Sequence, residues 1–185
     1  MFLEHRPRFQ PDADWIQISM ENEACGREAA RWLLSLGCRR VLVIGDSMGI
    51  SGQQEMMDGI RGELDAAGLT PVETLRVNPQ RTTEAIAALE KALSSGLEPD
   101  AVLCTTSRLT VGALRVLKDR NIPPERTGVL GIGEHRLHRY GLIDYLAVRE
   151  PLTEMAGAAA RSLLELQDDR SLSGREMTFP CTCLR

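Results

Sequence analysis

From residue 15 onward, short apolar runs of strand length alternate with longer stretches that are apolar at every third or fourth position. The clearest run is Arg40-Val41-Leu42-Val43-Ile44-Gly45. An unbroken apolar run suits a parallel strand covered on both faces. Before it, residues 22–36 form a helical stripe of Cys25, Ala29, Trp32, Leu33 and Leu36, with Gly37 as its stop. After it, residues 51–67 predict a second helix that ends at Gly68. The unit then recurs. Residues 15–19 alternate and predict a short strand, 72–77 a weaker one, and 101–105, 128–132 and 145–148 three more. Helices are predicted over 82–93, capped by Thr82 or Thr83, over 109–119, and from Pro151 to about residue 166. Residues 167–176 read as a polar surface connection and 177–184 as one closing strand, placed at an edge. The fold class this predicts is α/β: a doubly wound, mainly parallel sheet with helices on both faces.

Composition narrows the function. The 185 residues carry a net charge of -4, so the chain lacks the basic balance of a free-standing DNA binder. Aromatic residues make up 4%, too few for a stacking platform for single-stranded nucleic acid. Five cysteines, Cys25, Cys38, Cys104, Cys181 and Cys183, form an odd set that fits no zinc template. The first three read as small core residues, which suits a reducing, cytoplasmic compartment. No apolar stretch has the length of a membrane span, and residues 1–6 show no apolar signal core.

In open α/β sheets ligands bind beyond the carboxyl ends of the strands. That rule selects three loops: Gly45-Asp46-Ser47-Met48-Gly49, Thr105-Thr106-Ser107-Arg108 and Gly133-Glu134-His135-Arg136. They lie far apart in sequence and are expected to share one edge. Asp46, Ser47 and Ser51 either bond a ligand or cap the second helix, and Thr106 either caps the next helix or reaches the ligand. Glu134 is either a ligand contact or a solvated loop carboxylate, and Arg81, Arg108 and Arg136 either meet a phosphate or are solvated. The Gly45 loop lacks the Gly-x-Gly-x-x-Gly spacing of a dinucleotide site. No Gly-x-Ser-x-Gly elbow and no Gly-Lys-Ser/Thr phosphate loop occurs. His5, His135 and His138 are not spaced as metal ligands with Cys181 or Cys183. The expectation is a protein that is not an enzyme and holds neither metal nor cofactor.

Several of these segments resemble the LacI/GalR family of transcription regulators. They are Ile18-Ser19-Met20-Glu21-Asn22-Glu23-Ala24-Cys25-Gly26, Leu36-Gly37-Cys38-Arg39-Arg40 with the strand after it, Pro99-Asp100-Ala101-Val102-Leu103-Cys104-Thr105-Thr106-Ser107, and Val111-Gly112-Ala113-Leu114. Pro123-Pro124-Glu125, Val129-Leu130-Gly131-Ile132-Gly133-Glu134 and Leu146-Ala147-Val148-Arg149-Glu150-Pro151 complete the set. The Thr105-Thr106-Ser107 turn, Gly133-Glu134 and Leu146-Ala147-Val148 look nearest to the fructose-repressor branch.

The resemblance implies a periplasmic-binding-protein-like lobe and a small-molecule effector, a sugar or sugar phosphate, held between lobes. It implies residues 1–17 as a remnant of a first lobe, 18–146 as the second, and 147–185 as a crossover helix and closing strand. Operator DNA would be met only through a helix-turn-helix head that the sequence does not contain, and the full-length protein is expected to be a homodimer. The alternative is a stand-alone sugar- or solute-binding protein, against which the missing signal core counts. The resemblance also implies site positions. Met56 stands where the family often has an arginine, three residues before Gly59, so a two-pronged grip on a phosphate is absent there, and a methionine at this place is either a ligand neighbour or, more often, a core filler. Thr106-Ser107 stands where the family often has Asn-Asp. Glu134 occupies an acidic position and Glu150 the place of a polar group that often reaches the ligand; Glu150 also stands where it would favour the helix after Pro151.

Overall fold

The computed structural model describes residues 2–3, 15–134, 136–168 and 175–184. Strands β1 (Phe2–Leu3) and β2 (Gln17–Met20) are followed by α1 (Asn22–Ser35), β3 (Val41–Asp46), α2 (Ser51–Ala66), β4 (Glu73–Val77), α3 (Thr82–Ser94), β5 (Ala101–Cys104) and α4 (Ser107–Asp119). Then come β6 (Gly128–Ile132), a one-turn α5 (Arg136–Arg139), β7 (Leu146–Arg149), α6 (Leu152–Asp168), β8 (Glu176–Phe179) and β9 (Thr182–Leu184). No helix among the described residues is long and apolar enough to cross a membrane.

The large sheet has the order β4-β3-β5-β6-β7-β9. Its first five strands run parallel, and β9 closes the edge antiparallel to β7. The side-chain period of two explains why its central strands are apolar throughout. Val41 and Val43 of β3 and Ala101 and Leu103 of β5 point into a core built with Cys25, Ala29 and Leu33 of α1 and Met56, Ile60 and Leu64 of α2. Leu42, Ile44, Val102 and Cys104 point the other way, onto Ala85 and Leu89 of α3 and Leu109, Ala113 and Val116 of α4. A doubly wound sheet is thus the arrangement found, as the alternation predicts.

A second, three-stranded sheet lies in the order β1-β2-β8, all parallel. All four residues of β2 are buried. Ile16, Ile18 and Met20 join Met155, Ala158 and Ala159 of α6 in the same core that underlies the large sheet. The expected single closing strand over 177–184 is two strands, one in each sheet. Pro180 separates them: it has no N–H for a ladder, so pairing ends there and the chain changes sheet. A second expectation is corrected at α3. Its N-cap position is Arg81, with no side-chain cap bond. Thr82 Oγ1 instead donates to the Arg108 carbonyl, 3.2 Å away, linking α3 to α4.

α1 and α2 cross at two glycines. A Cβ added at Gly26 would lie 2.1 Å from the Met56 carbonyl oxygen, and one at Gly59 would lie 2.0 Å from that of Glu23. The backbones therefore touch without side chains between them. At the opposite end of β3, Asp100 acts as a clamp. Its Oδ2 accepts from the Arg39 N–H at 2.7 Å and its Oδ1 from the Arg40 N–H at 3.0 Å. Asp100→Ala removes both charge-assisted bonds and is expected to cost about 2 kcal/mol. Asp100→Asn, whose amide keeps only one acceptor oxygen, should lose less. Urea midpoints at unchanged slope would check both.

Candidate functional site

The carboxyl ends of β3, β5, β6 and β7 lie along one edge, in register. Thr105 N donates to the Ile44 carbonyl at 3.0 Å and Gly133 N to that of Val148 at 2.8 Å, while Ser47 N reaches Val77 at 3.0 Å. Each loop beyond a strand is thereby pinned to the neighbouring strand, and the three loops singled out from the sequence share one edge.

At the middle of that edge three segments converge on Gly133. Its φ of +90° is one that side-chain-bearing residues rarely adopt. A Cβ there would lie 3.1 Å from Glu150 Oε2 and 3.4 Å from Ser107 N. The Glu150 carboxylate thus sits close to the amino end of α4, where free N–H groups favour negative charge. Ser107 is the first residue of α4 and is half-buried. Thr106 caps the helix: its Oγ1 accepts from Leu109 N at 3.3 Å and donates to the Pro79 carbonyl at 3.1 Å. Its hydroxyl hydrogen is therefore committed to the fold, which leaves one lone pair.

Glu134 follows Gly133 and its side chain is 12% exposed. Arg139 Nη2 stands 3.0 Å from Glu134 Oε2. His138 Nδ1 is 3.7 Å from the other oxygen, and the His138 ring lies tilted against Tyr145 at a centroid distance of 4.5 Å. Tyr145 Oη donates to the Gly133 carbonyl at 3.1 Å. The one-turn α5 thus fixes the Gly133-Glu134 loop and balances its charge.

The remaining candidates disperse. Ser47 is exposed beyond β3, and Ser51 is the first residue of α2, behind the N-cap Ile50. Asp46 ends β3 at the same edge, but its side chain lies outside the described side chains, and His135 lies outside the described residues. Met56 is 1% exposed and packs in the core with Ile18, Cys25 and Ile60, so it offers the edge no solvent-facing group. The helical period explains this: Met56 and Ile60 share the face of α2 that meets the sheet. Among the arginines, Arg81 lies 3.6 Å from Glu84, Arg108 donates to the Gln80 carbonyl at 3.4 Å, and Arg136 opens α5 with an exposed side chain.

One polar residue at this edge, Gln53, escapes the sequence reading, which includes Thr105 only as a member of its loop. Gln53 Nε2 donates to the Thr105 carbonyl at 3.4 Å. Gln53 Oε1 and Thr105 Oγ1 are both buried and have no hydrogen-bond partner among the described residues. Nearby, Asn22, 3% exposed, donates to Glu55 Oε2 at 3.3 Å, and a Cβ at Gly52 would meet its amide at 2.9 Å. Position beside a strand end signals Thr105, but nothing in a helical pattern marks Gln53 as buried. Unmet buried polar atoms are uncommon in native proteins. Thr105→Val keeps the shape and removes the hydroxyl. It is expected to leave the ligand-free protein as stable or up to about 1 kcal/mol more stable, read as a thermal midpoint.

Comparison with known proteins gives a consistent result. The profile of the periplasmic binding protein-like domain matches residues 19–185. The HTH-type transcriptional regulator CelR of Thermobifida fusca is 28% identical over 163 residues, which are 86% of this chain and 48% of that protein. A transcriptional regulator CelR–cellobiose complex superposes with a TM-score of 0.88 at 21% identity, covering 99% of this chain and 57% of the other. A dimeric Lac repressor with a C-terminal deletion superposes with a TM-score of 0.86 at 14% identity, covering 100% of this chain and 66% of the other. The last two likenesses concern the fold. The chain spans about half the length of the curated relatives it matches.

Proposed function

Because the chain belongs to the periplasmic binding protein-like domain family, in the form found in LacI/GalR transcription regulators, we propose that it senses a small effector for such a regulator. The observation that carries this reading is the convergence at Gly133. A half-buried carboxylate, the amino end of α4 and two unmet buried polar atoms collect at the sheet edge where ligands of open α/β folds bind.

The chemistry favours a polyhydroxyl compound. Glu150 accepts hydroxyl hydrogens, Ser107 N and Oγ supply donors, and Thr105 and Gln53 supply further acceptors once the edge is engaged. A sugar phosphate is the second member of this class; the arginines at 81, 108 and 136 stand beyond the strand ends, but none is placed by these contacts against Glu150. We read residues 18–146 as one effector-binding lobe, with 1–17 as a remnant of the other and 147–185 as the crossover helix and closing strands. Effector binding at its sheet edge, against the facing lobe of the longer regulator, would draw the lobes together and shift the population of regulators able to hold operator DNA. Operator contact would fall to a helix-turn-helix head, in a cytoplasmic homodimer; the -4 charge of this region suits a sensor better than a DNA surface.

A thermal-shift screen tests the reading, with cellobiose, other free sugars, sugar phosphates and purines as probes. A sugar that binds the folded form raises its melting temperature. The expected result is a shift with a free sugar that Glu150→Ala abolishes. No shift with any of these compounds, for this chain and for a longer protein that carries it, would overturn the proposal.

A further inference from the structure

The effector edge owes its shape to a residue rooted away from it. Tyr145 stands just before the amino end of β7, whereas Gly133 stands just past the carboxyl end of β6. The two strands are parallel neighbours, with Leu130 opposite Leu146. The Tyr145 side chain therefore leaves the start of one strand and runs along the other toward its far end. It packs with Leu117, Val129 and Ala147, on the side of the sheet that α4 covers, and is 8% exposed. Its hydroxyl donates to the Gly133 carbonyl at 3.1 Å. A tyrosine buried this far needs such a partner for its polar end.

Gly131 opens the way for the ring. A Cβ there would lie 2.9 Å from Tyr145 Cε2 and 2.2 Å from Thr110 Oγ1. The φ of Gly131 is not positive, so glycine serves here for room and not for backbone freedom. Thr110 is fully buried and its hydroxyl donates to the Thr106 carbonyl at 2.9 Å, which holds that wall in place. The His138 ring lies on Tyr145 with 4.5 Å between centroids and 48° between planes. The tyrosine is thus wedged between β6, α4 and α5. Gly133 is in turn gripped twice: its N–H donates to the Val148 carbonyl at 2.8 Å, and its carbonyl accepts from Tyr145. Glycine backbone is permissive, so a turn at φ +90° takes the shape that its hydrogen bonds impose. That shape sets the space above Gly133, where Glu150 Oε2 and Ser107 N stand 3.1 and 3.4 Å from one point.

We propose that Tyr145 is a positioning residue for the effector, a strut that holds the Gly133 turn in the form that brings the Glu150 carboxylate and the amino end of α4 together. The hydroxyl hydrogen is committed to Gly133, so Tyr145 acts through the turn. The consequence for effector affinity rests on the sensing reading; the strut does not.

The test compares backbone amide spectra and sugar binding for the wild-type protein, Tyr145→Phe and Gly131→Ala. Tyr145→Phe keeps the ring and removes only the hydroxyl. The amide resonances of Ser107, in α4, and Glu150, beyond β7, are expected to shift, while those at the crossing of Gly26 and Gly59 stay in place. A role in packing alone would lower the melting temperature and leave Ser107 and Glu150 unmoved. Gly131→Ala pushes on the same ring and should move the same two amides; should it fail to fold, Tyr145→Phe still decides. Free sugars are then titrated, cellobiose first. A sugar that binds the wild-type protein should bind Tyr145→Phe roughly five- to tenfold more weakly, about the net value of one hydrogen bond. Unmoved Ser107 and Glu150 amides, or equal sugar affinity in the two proteins, would overturn the proposal. If no sugar binds the wild type, the sensing reading fails, and the amide shifts alone decide whether Tyr145 holds the edge.

Discussion

Gly59→Ala is expected to destabilise the protein by about 3 kcal/mol, the largest loss from a single added methyl group. The new Cβ would lie 2.0 Å from the Glu23 carbonyl oxygen, 2.9 Å from its carbon and 3.0 Å from Arg27 N. All three are backbone atoms of α1, so no side chain can swing aside. The helices must separate, and the core between them, Cys25, Ala29, Met56 and Ile60, must loosen. Alanine's better helix propensity returns at most about 1 kcal/mol, too little to change the sign. Gly26→Ala meets the Met56 carbonyl at 2.1 Å and should behave alike. Gly62→Ala is the control: it lies on α2, exposed, with nothing within 4 Å of its Cβ, and should stabilise by up to about 1 kcal/mol. Urea unfolding of the three variants checks the set; a Gly59→Ala protein as stable as the wild type would mean that the crossing is looser than described.

Glu150→Ala should reduce affinity for the sugar found in the screen by roughly ten- to a hundred-fold. A hydrogen bond to a charged group is worth about 1.5–3 kcal/mol, and 1.4 kcal/mol is tenfold. Glu150→Gln keeps the shape and one acceptor and should fall between. Glu154 lies on α6 and is exposed, so Glu154→Ala should bind as the wild type does. Calorimetric titration separates the cases. Equal affinity for wild type and Glu150→Ala would remove Glu150 from the site and leave the edge without its central acceptor.

The repeating strand and helix units were legible because local periodicity determines them. The run at 41–44 splits its side chains between two cores, and the helical stripes face the sheet. Non-local features were hidden. Nothing near Gln17 tells that its strand pairs with residue 176, and a strand-length stretch over 177–184 conceals that Pro180 sends its halves to different sheets. The site was legible at the level of loops, since a topological rule places strand ends together. Single side chains were harder. Met56 holds a site position in the family pattern and is also a natural core filler; its helical face turns it into the core, the second of those readings. Gln53 was missed because burial of a polar group depends on what packs over it, here the Thr105 loop.

The pairing of β2 with β8 also sets an order of events in folding. Every parallel pair from β3 to β7 joins strands that are near neighbours along the chain, whereas Gln17 must wait for Glu176. Contacts of such long sequence separation form slowly, because the intervening chain must first be brought to order. During synthesis the five parallel strands of the large sheet can assemble while β2 still lacks its partner β8. Until the final strands arrive, Ile16, Ile18 and Met20 are a sticky surface, and that interval is when this protein is most exposed to aggregation.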